Sequence, residues 1–317
     1  MTPVSGSALP VIFLMGPTAS GKTRLALELA ERLPVDLISV DSAQVYRGMD
    51  IGTAKPAPVI LQRYPHKLID ICEPTESYSA ARFAADAGRE IAAGHGRGRV
   101  PLLVGGTLLY FRALAEPLSA LPSADPLLRA RLSAEADRLG WAALHARLAA
   151  ADPQTAQRLH PNDSQRIQRA LEILELTGHG PSVWHQQERS APPPWRILKL
   201  IVMPGAREVL RQRITGRLQM MLAQGFLDEV RGLRARGDLH LDLPALRAVG
   251  YRQLWLHLDG FYDWDEAQRR CLTATQQFAK RQLTWLRRET AAIWLDSSGD
   301  GLAQKALTVL RDGGMLP

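Results

Sequence analysis

The 317-residue sequence has little cysteine: Cys72 and Cys271 are the only two, they lie far apart, and neither has a C-x-x-C partner or a histidine cluster nearby. That excludes a disulfide framework and a structural zinc site, and fits a reducing compartment. No apolar run approaches the roughly 18 residues needed to cross a bilayer. The apolar run at residues 10–15 (PVIFLM) is too short for a secretory signal and leads straight into a glycine loop. These absences predict a cytoplasmic protein with no membrane partner. Internal repeats and low-complexity tracts are also missing. Lysine is scarce, six of the 39 basic residues, so 33 are arginine.

What remains is ordinary for a globular protein in hydrophobic content (46%) and charged content (22%), enough for one large core or two modest domains. The net charge of +7 is not ordinary and points to a polyanionic partner. Arginine is the better bidentate reader of phosphates and base edges.

Short apolar strands alternate with helical patterns through the first third: 10–15, a helix to Arg32, 37–40 (LISV), 68–71 (LIDI), a helix over 79–93, then 100–104 (VPLLV). This alternation predicts a parallel sheet with both faces covered. From about Glu116 strands vanish, and helices are expected over 126–150, 153–160 and 163–177, with loop signals in GHGPSVW and SAPPPW (190–195). A strand returns at 197–203, followed by a long helix over 207–236, a basic helix near 264–289, a last strand at 293–296 and a closing helix at 302–311. The predicted organisation is an α/β core of residues 1–115 and 196–317, with an all-helical insertion of residues 116–195.

Gly16-Pro17-Thr18-Ala19-Ser20-Gly21-Lys22-Thr23 spells G-x-x-x-x-G-K-[ST] between a strand and a helix, the setting a phosphate-binding loop (P-loop) needs. Its N–H groups converge at a helix N-terminus, Lys22 adds a point charge, and the Thr23 hydroxyl suits Mg²⁺. An NTPase also places an acid after a second apolar strand. Asp41, Asp70 and Asp296 each end a candidate strand, whereas VPLLV, the most apolar, ends in Gly105-Gly106-Thr107. The two glycines suggest close approach of a ligand. Asp41 follows the strand after the loop's helix and is the acid expected near the phosphates; Asp70 reads as structural. Arg213 and Arg217 lie one helical turn apart, and Arg217 is the one expected to reach the phosphates.

Taken in order, GPTASGKT, ISVDSAQVYRGMDIGTAKP, LLVGGTLLY, HPNDSQRIQRALE, RAVGYRQ and KRQLTWLR resemble the tRNA dimethylallyltransferases, also called tRNA isopentenyltransferases, over roughly residues 10–290. The resemblance implies a P-loop NTPase-like core with a helical insertion that contacts tRNA. It implies transfer of a dimethylallyl group from dimethylallyl diphosphate to N6 of the adenosine 3′ of the anticodon (position 37), in tRNAs reading codons that begin with U. It places the donor diphosphate on Thr18–Thr23, and the target adenosine against Asp41, Ser42, Ala43, Gln44 and Thr107. It places tRNA against Arg129, Gln165, Arg166, Ile167, Gln168 and Arg169, and against Arg247, Ala248, Val249, Gly250, Tyr251 and Arg252. Lys280, Arg281 and Arg287 belong to a further signature on the donor or tRNA side. The partners implied are the anticodon stem-loop and the allylic diphosphate, the cofactor Mg²⁺, the state monomeric.

The chemistry is coherent. Adenine N6 is a weak nucleophile and an allylic diphosphate a willing electrophile, so an enzyme must neutralise the departing diphosphate, align N6 with C1 and take a proton. Asp41 and Thr107 are the expected catalytic groups. A P-loop nucleoside or small-molecule kinase is the enzymatic alternative, and an RNA-binding module without turnover the non-enzymatic one.

Overall fold

The computed structural model describes residues 8–116, 121–186 and 193–316, in two compact units: residues 1–115 with 194–317, and residues 116–193. Residues 190–192 of the SAPPPW stretch lie outside the described residues.

In the first unit the chain runs β1 (Leu9–Met15), α1 (Lys22–Ala30), β2 (Val35–Val40), α2 (Pro58–Arg63), β3 (His66–Lys67), α3 (Ala80–Gly96), β4 (Val100–Gly105) and α4 (Leu108–Ala115). The second unit contributes α5 (Pro126–Leu139), α6 (Trp141–Ala151), α7 (Pro153–Gln157), α8 (Ser164–Thr177) and α9 (Pro181–Gln186). The first unit then resumes with β5 (Trp195–Met203), α10 (Arg207–Ala223), α11 (Phe226–Ala235), α12 (Tyr251–Leu258), α13 (Trp264–Leu286), β6 (Ala292–Asp296) and α14 (Leu302–Asp312).

The six described strands form one parallel sheet in the order β3-β2-β4-β1-β5-β6. Why a run such as VIFLM lies at its centre follows from the two-residue period of a strand. Val11, Phe13 and Met15 pack into one apolar layer with Ile38, Val40, Phe83, Phe226 and Tyr251, while Ile12 and Leu14 pack into the opposite layer with Leu25, Leu29, Leu200 and Leu310. A strand buried on both faces reads as continuous apolar sequence, as parallel sheets require.

Register decides where the chemistry can sit. Met15 and Val40 both pair with Gly105, and Met15 also pairs with Ile201. The residues that follow each strand, Gly16, Asp41 and Gly106, therefore emerge together at the carboxyl edge, where parallel α/β sheets bind ligands.

Four expected elements differ. GHGPSVW is loop only up to Gly180, and its last four residues open α9, since Pro181 sits at the first helical position, where a missing N–H costs nothing. LIDI is not a strand: β3 is only His66–Lys67, and Leu68 (φ 63°) and Asp70 (φ 55°) adopt left-handed backbone. The expected helices 126–150 and 207–236 are each two helices, broken at Gly140 (φ 82°) and Gly225 (φ 95°). Glycine takes such angles without the Cβ clash that bars other residues.

The second unit is all helical among its described residues and has its own core of Leu132, Leu144, Leu148, Ile167 and Leu171. Asp125, Asp152 and Asp163 cap α5, α7 and α8, each accepting an N–H from the first turn.

Candidate active site

The phosphate loop connects β1 to α1 with Ala19 (φ 61°) and Gly21 (φ 99°) in left-handed conformation, a nest of N–H groups that favours anions. It borders a cavity of about 610 Å³ lined by Thr18, Ala19, Lys22 and Thr23 on one side and by Asp41, Ser42, Ala43 and Gln44 on another. Helix α10 closes a third side with Ile214, Arg217, Leu218 and Met221, at spacings that put them on one helix face. Helix α13 adds Thr275, Phe278, Arg281 and Gln282. A second cavity, of about 970 Å³, lies beyond the loop and shares Ala19, Lys22, Thr23 and Arg217 with the first.

The electrostatics of the first cavity are unbalanced. Burial pushes the Lys22 ammonium down to about 8, Arg217 beside it pushes the same way, and Asp41 opposes both. Burial also lowers Arg217, again opposed by Asp41. Two desolvated cations thus face one carboxylate, an arrangement that an anionic ligand would relieve. Lys22 Nζ meanwhile donates to the Pro17 carbonyl at 3.2 Å.

Asp41 is held in a tight turn: its Oδ1 accepts the N–H of Ala43 (2.9 Å) and of Gln44 (3.3 Å). Its Oδ2 receives no hydrogen bond among the described residues, and the carboxylate lines the cavity. Thr107 is a brace, its Oγ1 accepting the Ser42 N–H at 3.0 Å and donating to Ser42 Oγ at 3.4 Å. Among the described residues no group of three or more His, Cys, Asp or Glu could hold a metal ion. Among the hydroxyls lining the cavity is that of Thr23 at the start of α1, a donor that suits Mg²⁺ only when ligand oxygens complete the set.

Several expected contacts take other roles. Gly16 and Pro17 are buried beneath the loop and shape it. The Thr18 N–H is engaged by Gln282 Oε1 (2.9 Å), so it is not offered to a ligand. Gln44 uses its whole amide internally, accepting from Ser39 Oγ (3.0 Å) and donating to the carbonyls of Thr53 and Ala54 (3.2 Å each). The glycines that end and follow β4 serve packing: a Cβ on Gly105 would lie 2.0 Å from the Val40 carbonyl oxygen, and one on Gly106 2.3 Å from Gln282 Nε2. Ile167 and Tyr251 are fully buried and Gly250 is buried, so none presents a side chain to a macromolecule. Arg213 holds Ser297 and the Ser20 carbonyl, so of the two α10 arginines Arg217 is the one that lines the first cavity. Asp70 pairs with Lys55 at 2.5 Å, and Asp296 braces the N–H groups of Gly205 and Ser298.

Other expected residues remain available. Arg247, Ala248 and Val249 line the cavity, as does Arg281, whose guanidinium lies 5.9 Å from the Phe278 ring centre. Arg252, Lys280 and Arg287 are exposed. In the second unit Gln165 and Arg166 are exposed on the first turn of α8. Arg129 and Arg169 both pair with the buried carboxylate of Glu172, and Gln168 bridges the Arg129 carbonyl and Ser133 Oγ.

Two residues have roles that the sequence does not display. One is Gln282, inside the KRQLTWLR stretch. The other is Glu229 on α11, whose carboxylate accepts the N–H groups of Asp50 (3.0 Å), Ile51 (2.7 Å) and Gly52 (3.1 Å) and the Tyr251 hydroxyl (2.5 Å). It clamps the segment whose Gly52, Thr53 and Ala54 wall the cavity.

Comparison with known proteins gives two family models and several relatives that agree. Residues 44–289 match the IPP transferase family and residues 9–70 the isopentenyl transferase family. A tRNA dimethylallyltransferase of Alkalilimnicola ehrlichii is 58% identical over 307 residues, 96% of each chain. The crystal structure of a full-length tRNA isopentenylpyrophosphate transferase from Bacillus halodurans is 36% identical, covers 96% of each chain and superposes with a TM-score of 0.71. A eukaryotic dimethylallyltransferase acting on tRNA is 26% identical over 98% of this chain and 80% of its own, with a TM-score of 0.81.

Proposed function

The chain belongs to the IPP transferase family and prenylates tRNA, and on that premise we propose that the cavity between the phosphate loop and Asp41 is where an allylic diphosphate meets an adenine amine. The donor is dimethylallyl diphosphate, and the acceptor is N6 of the adenosine at position 37, 3′ of the anticodon, in tRNAs reading codons that begin with U. The observation that carries this reading is the charge imbalance: Lys22 and Arg217, both desolvated, face Asp41 alone.

A diphosphate in the nest of Ala19–Thr23 would restore Lys22 to its full charge and be neutralised by it and by Arg217 as the C1–O bond breaks. The apolar face of α10 (Ile214, Leu218, Met221) suits the hydrocarbon part of the same donor. N6 attacks C1, and its proton passes to Asp41 Oδ2; the products are N6-dimethylallyladenosine and diphosphate. General-base help of this kind is worth about 10²–10⁴-fold. Thr23 is the residue that would hold Mg²⁺ together with diphosphate oxygens, and the ion would offset charge on the leaving group. Exposed Gln165 and Arg166 on the helical unit, with Arg247, Arg252, Lys280 and Arg287, are the groups for the RNA backbone. With family membership fixed, a kinase has no support. We place the enzyme in the cytoplasm as a monomer; no helix among the described residues is long and apolar enough to cross a membrane.

The test is mass spectrometry of nucleosides from unmodified tRNA incubated with Mg²⁺ and either dimethylallyl diphosphate or ATP. A mass gain of one dimethylallyl group on A37 with the prenyl donor alone is expected. No gain, or consumption of ATP without prenyl transfer, would overturn the reading.

A further inference from the structure

Helix α13 carries a buried amide to the carboxyl edge of the sheet. Gln282 is only 6% exposed, and each end of its side chain engages backbone of a different loop. Oε1 accepts the N–H of Thr18 in the phosphate loop at 2.9 Å, and Nε2 donates to the carbonyl of Gly106 after β4 at 2.9 Å. The amide cannot be turned round, because an N–H only donates and a carbonyl only accepts. Nor is there slack, since a single carbon added to Gly106 would lie 2.3 Å from Nε2. Beyond Gly106 the path continues through hydrogen bonds. The Thr107 N–H donates to the Val40 carbonyl at 3.2 Å, and Thr107 Oγ1 accepts the N–H of Ser42, the neighbour of Asp41, at 3.0 Å.

We propose that Gln282 is a positioning residue that fixes the spacing between the loop holding the leaving diphosphate and the rim carrying Asp41, and so the alignment of C1 with N6. This rests on the functional reading above. Both polar ends of the side chain are engaged by protein, so it acts through the two loops rather than on substrate. Binding the donor requires groups on the phosphate-loop side, and binding the adenosine groups on the other. Only the transfer step needs the two sides at a set distance, and misplacement by about 1 Å can cost about 10²-fold in rate. The loss should therefore fall on kcat and not on the donor KM.

The experiment measures tRNA prenylation by wild type, Gln282→Glu and Gln282→Met across pH 5.5–8.5, with thermal unfolding in parallel. When ionised, the carboxylate introduced by Q282E would still accept from Thr18 but would turn an oxygen toward the Gly106 carbonyl. The protonated carboxyl would donate to Gly106 and accept from Thr18, regenerating both contacts. Expected is a kcat about 100-fold below wild type for both variants near pH 8, with donor KM within about threefold. Relative to wild type, Q282E should recover roughly tenfold toward acid pH as the carboxyl protonates, and Q282M should not recover. A donor KM that rises while kcat holds, or a Q282E-to-wild-type ratio flat with pH, overturns the proposal. If Q282E does not fold, Gln282→Asn must show the same drop in kcat at near-constant KM, because its shorter amide reaches one loop only; an unchanged kcat there overturns it too. A wild type inactive in this assay would instead overturn the functional reading itself.

Discussion

Replacing Lys22 by methionine should stabilise the free protein while abolishing donor binding. In the folded chain the Lys22 ammonium is desolvated beside Arg217, and its pKa falls from 10.5 to about 8. At about 1.4 kcal/mol per pH unit, holding the charge there costs about 3 kcal/mol. The folded pKa lies below the unfolded one, so the unfolded chain binds more protons between pH 8 and 10.5. The cost is therefore fully present below pH 8 and disappears as pH rises through that window. Methionine fills a similar volume without the charge but forfeits the hydrogen bond to the Pro17 carbonyl, worth about 1 kcal/mol. The net expectation is a gain of about 2 kcal/mol at pH 7 that reverses to a loss of about 1 kcal/mol above pH 10.5. Urea unfolding of both proteins at pH 7 and at pH 10.5, with unchanged slope, reads this as a midpoint difference that changes sign. A methionine variant less stable than wild type at pH 7, or a gap independent of pH, would refute the reasoning.

In wild type, kcat/KM for dimethylallyl diphosphate should fall above pH 8, by about tenfold per pH unit, as the Lys22 ammonium is lost in the free enzyme; Lys22→Arg should remove the inflection, and an inflection that persists would assign it elsewhere. Asp41→Asn keeps the turn's acceptor but not the base, so single-turnover prenylation should slow by about 10²–10⁴-fold with donor KM within a few-fold. An unchanged rate would remove Asp41 from the mechanism. Gly52→Ala would place a Cβ 2.1 Å from the Phe226 ring, and should cost about 1–3 kcal/mol in a denaturant titration; a neutral effect would show that the 49–54 segment can move.

What the sequence displays is local. GPTASGKT between an apolar strand and a helix is legible because nest, charge and dipole are all made within a few residues of chain. The opening of α5, α7 and α8 by aspartate is legible for the same reason. LIDI misleads because four apolar-rich residues look the same in a strand and in a loop packed on a core. There Ile71 and Cys72 donate to the Val45 carbonyl, and the one bridge they share, between Tyr46 and Cys72, lies outside the sheet's strands. The roles of Gln282, though it lies in KRQLTWLR, and of Glu229 are invisible for a different reason. Their partners are backbone N–H and C=O groups, which every residue has, at separations of 264 and about 178 positions. Gln44 is the instructive middle case. Its block is specific enough to name the family, yet its amide braces the cavity wall and does not face into the cavity.

A phosphate loop does not by itself choose between hydrolysing a nucleotide and releasing a leaving group, since its N–H nest and lysine respond only to anionic oxygen. The choice lies in the opposite wall. After β4, where an NTPase would keep an acid for the metal shell, this chain has Gly105 and Gly106 packed against Val40 and Gln282, which leaves no room for one. Across the cavity, α10 offers Arg217 within one helix face that otherwise carries Ile214, Leu218 and Met221. A nucleotide would meet that face with a polar ribose; an allylic diphosphate would meet it with phosphate oxygens at the arginine and hydrocarbon along the rest. The same apolar face would keep water from the allylic carbon while the bond to oxygen is breaking, so residues that select such a donor would also protect the reaction from hydrolysis.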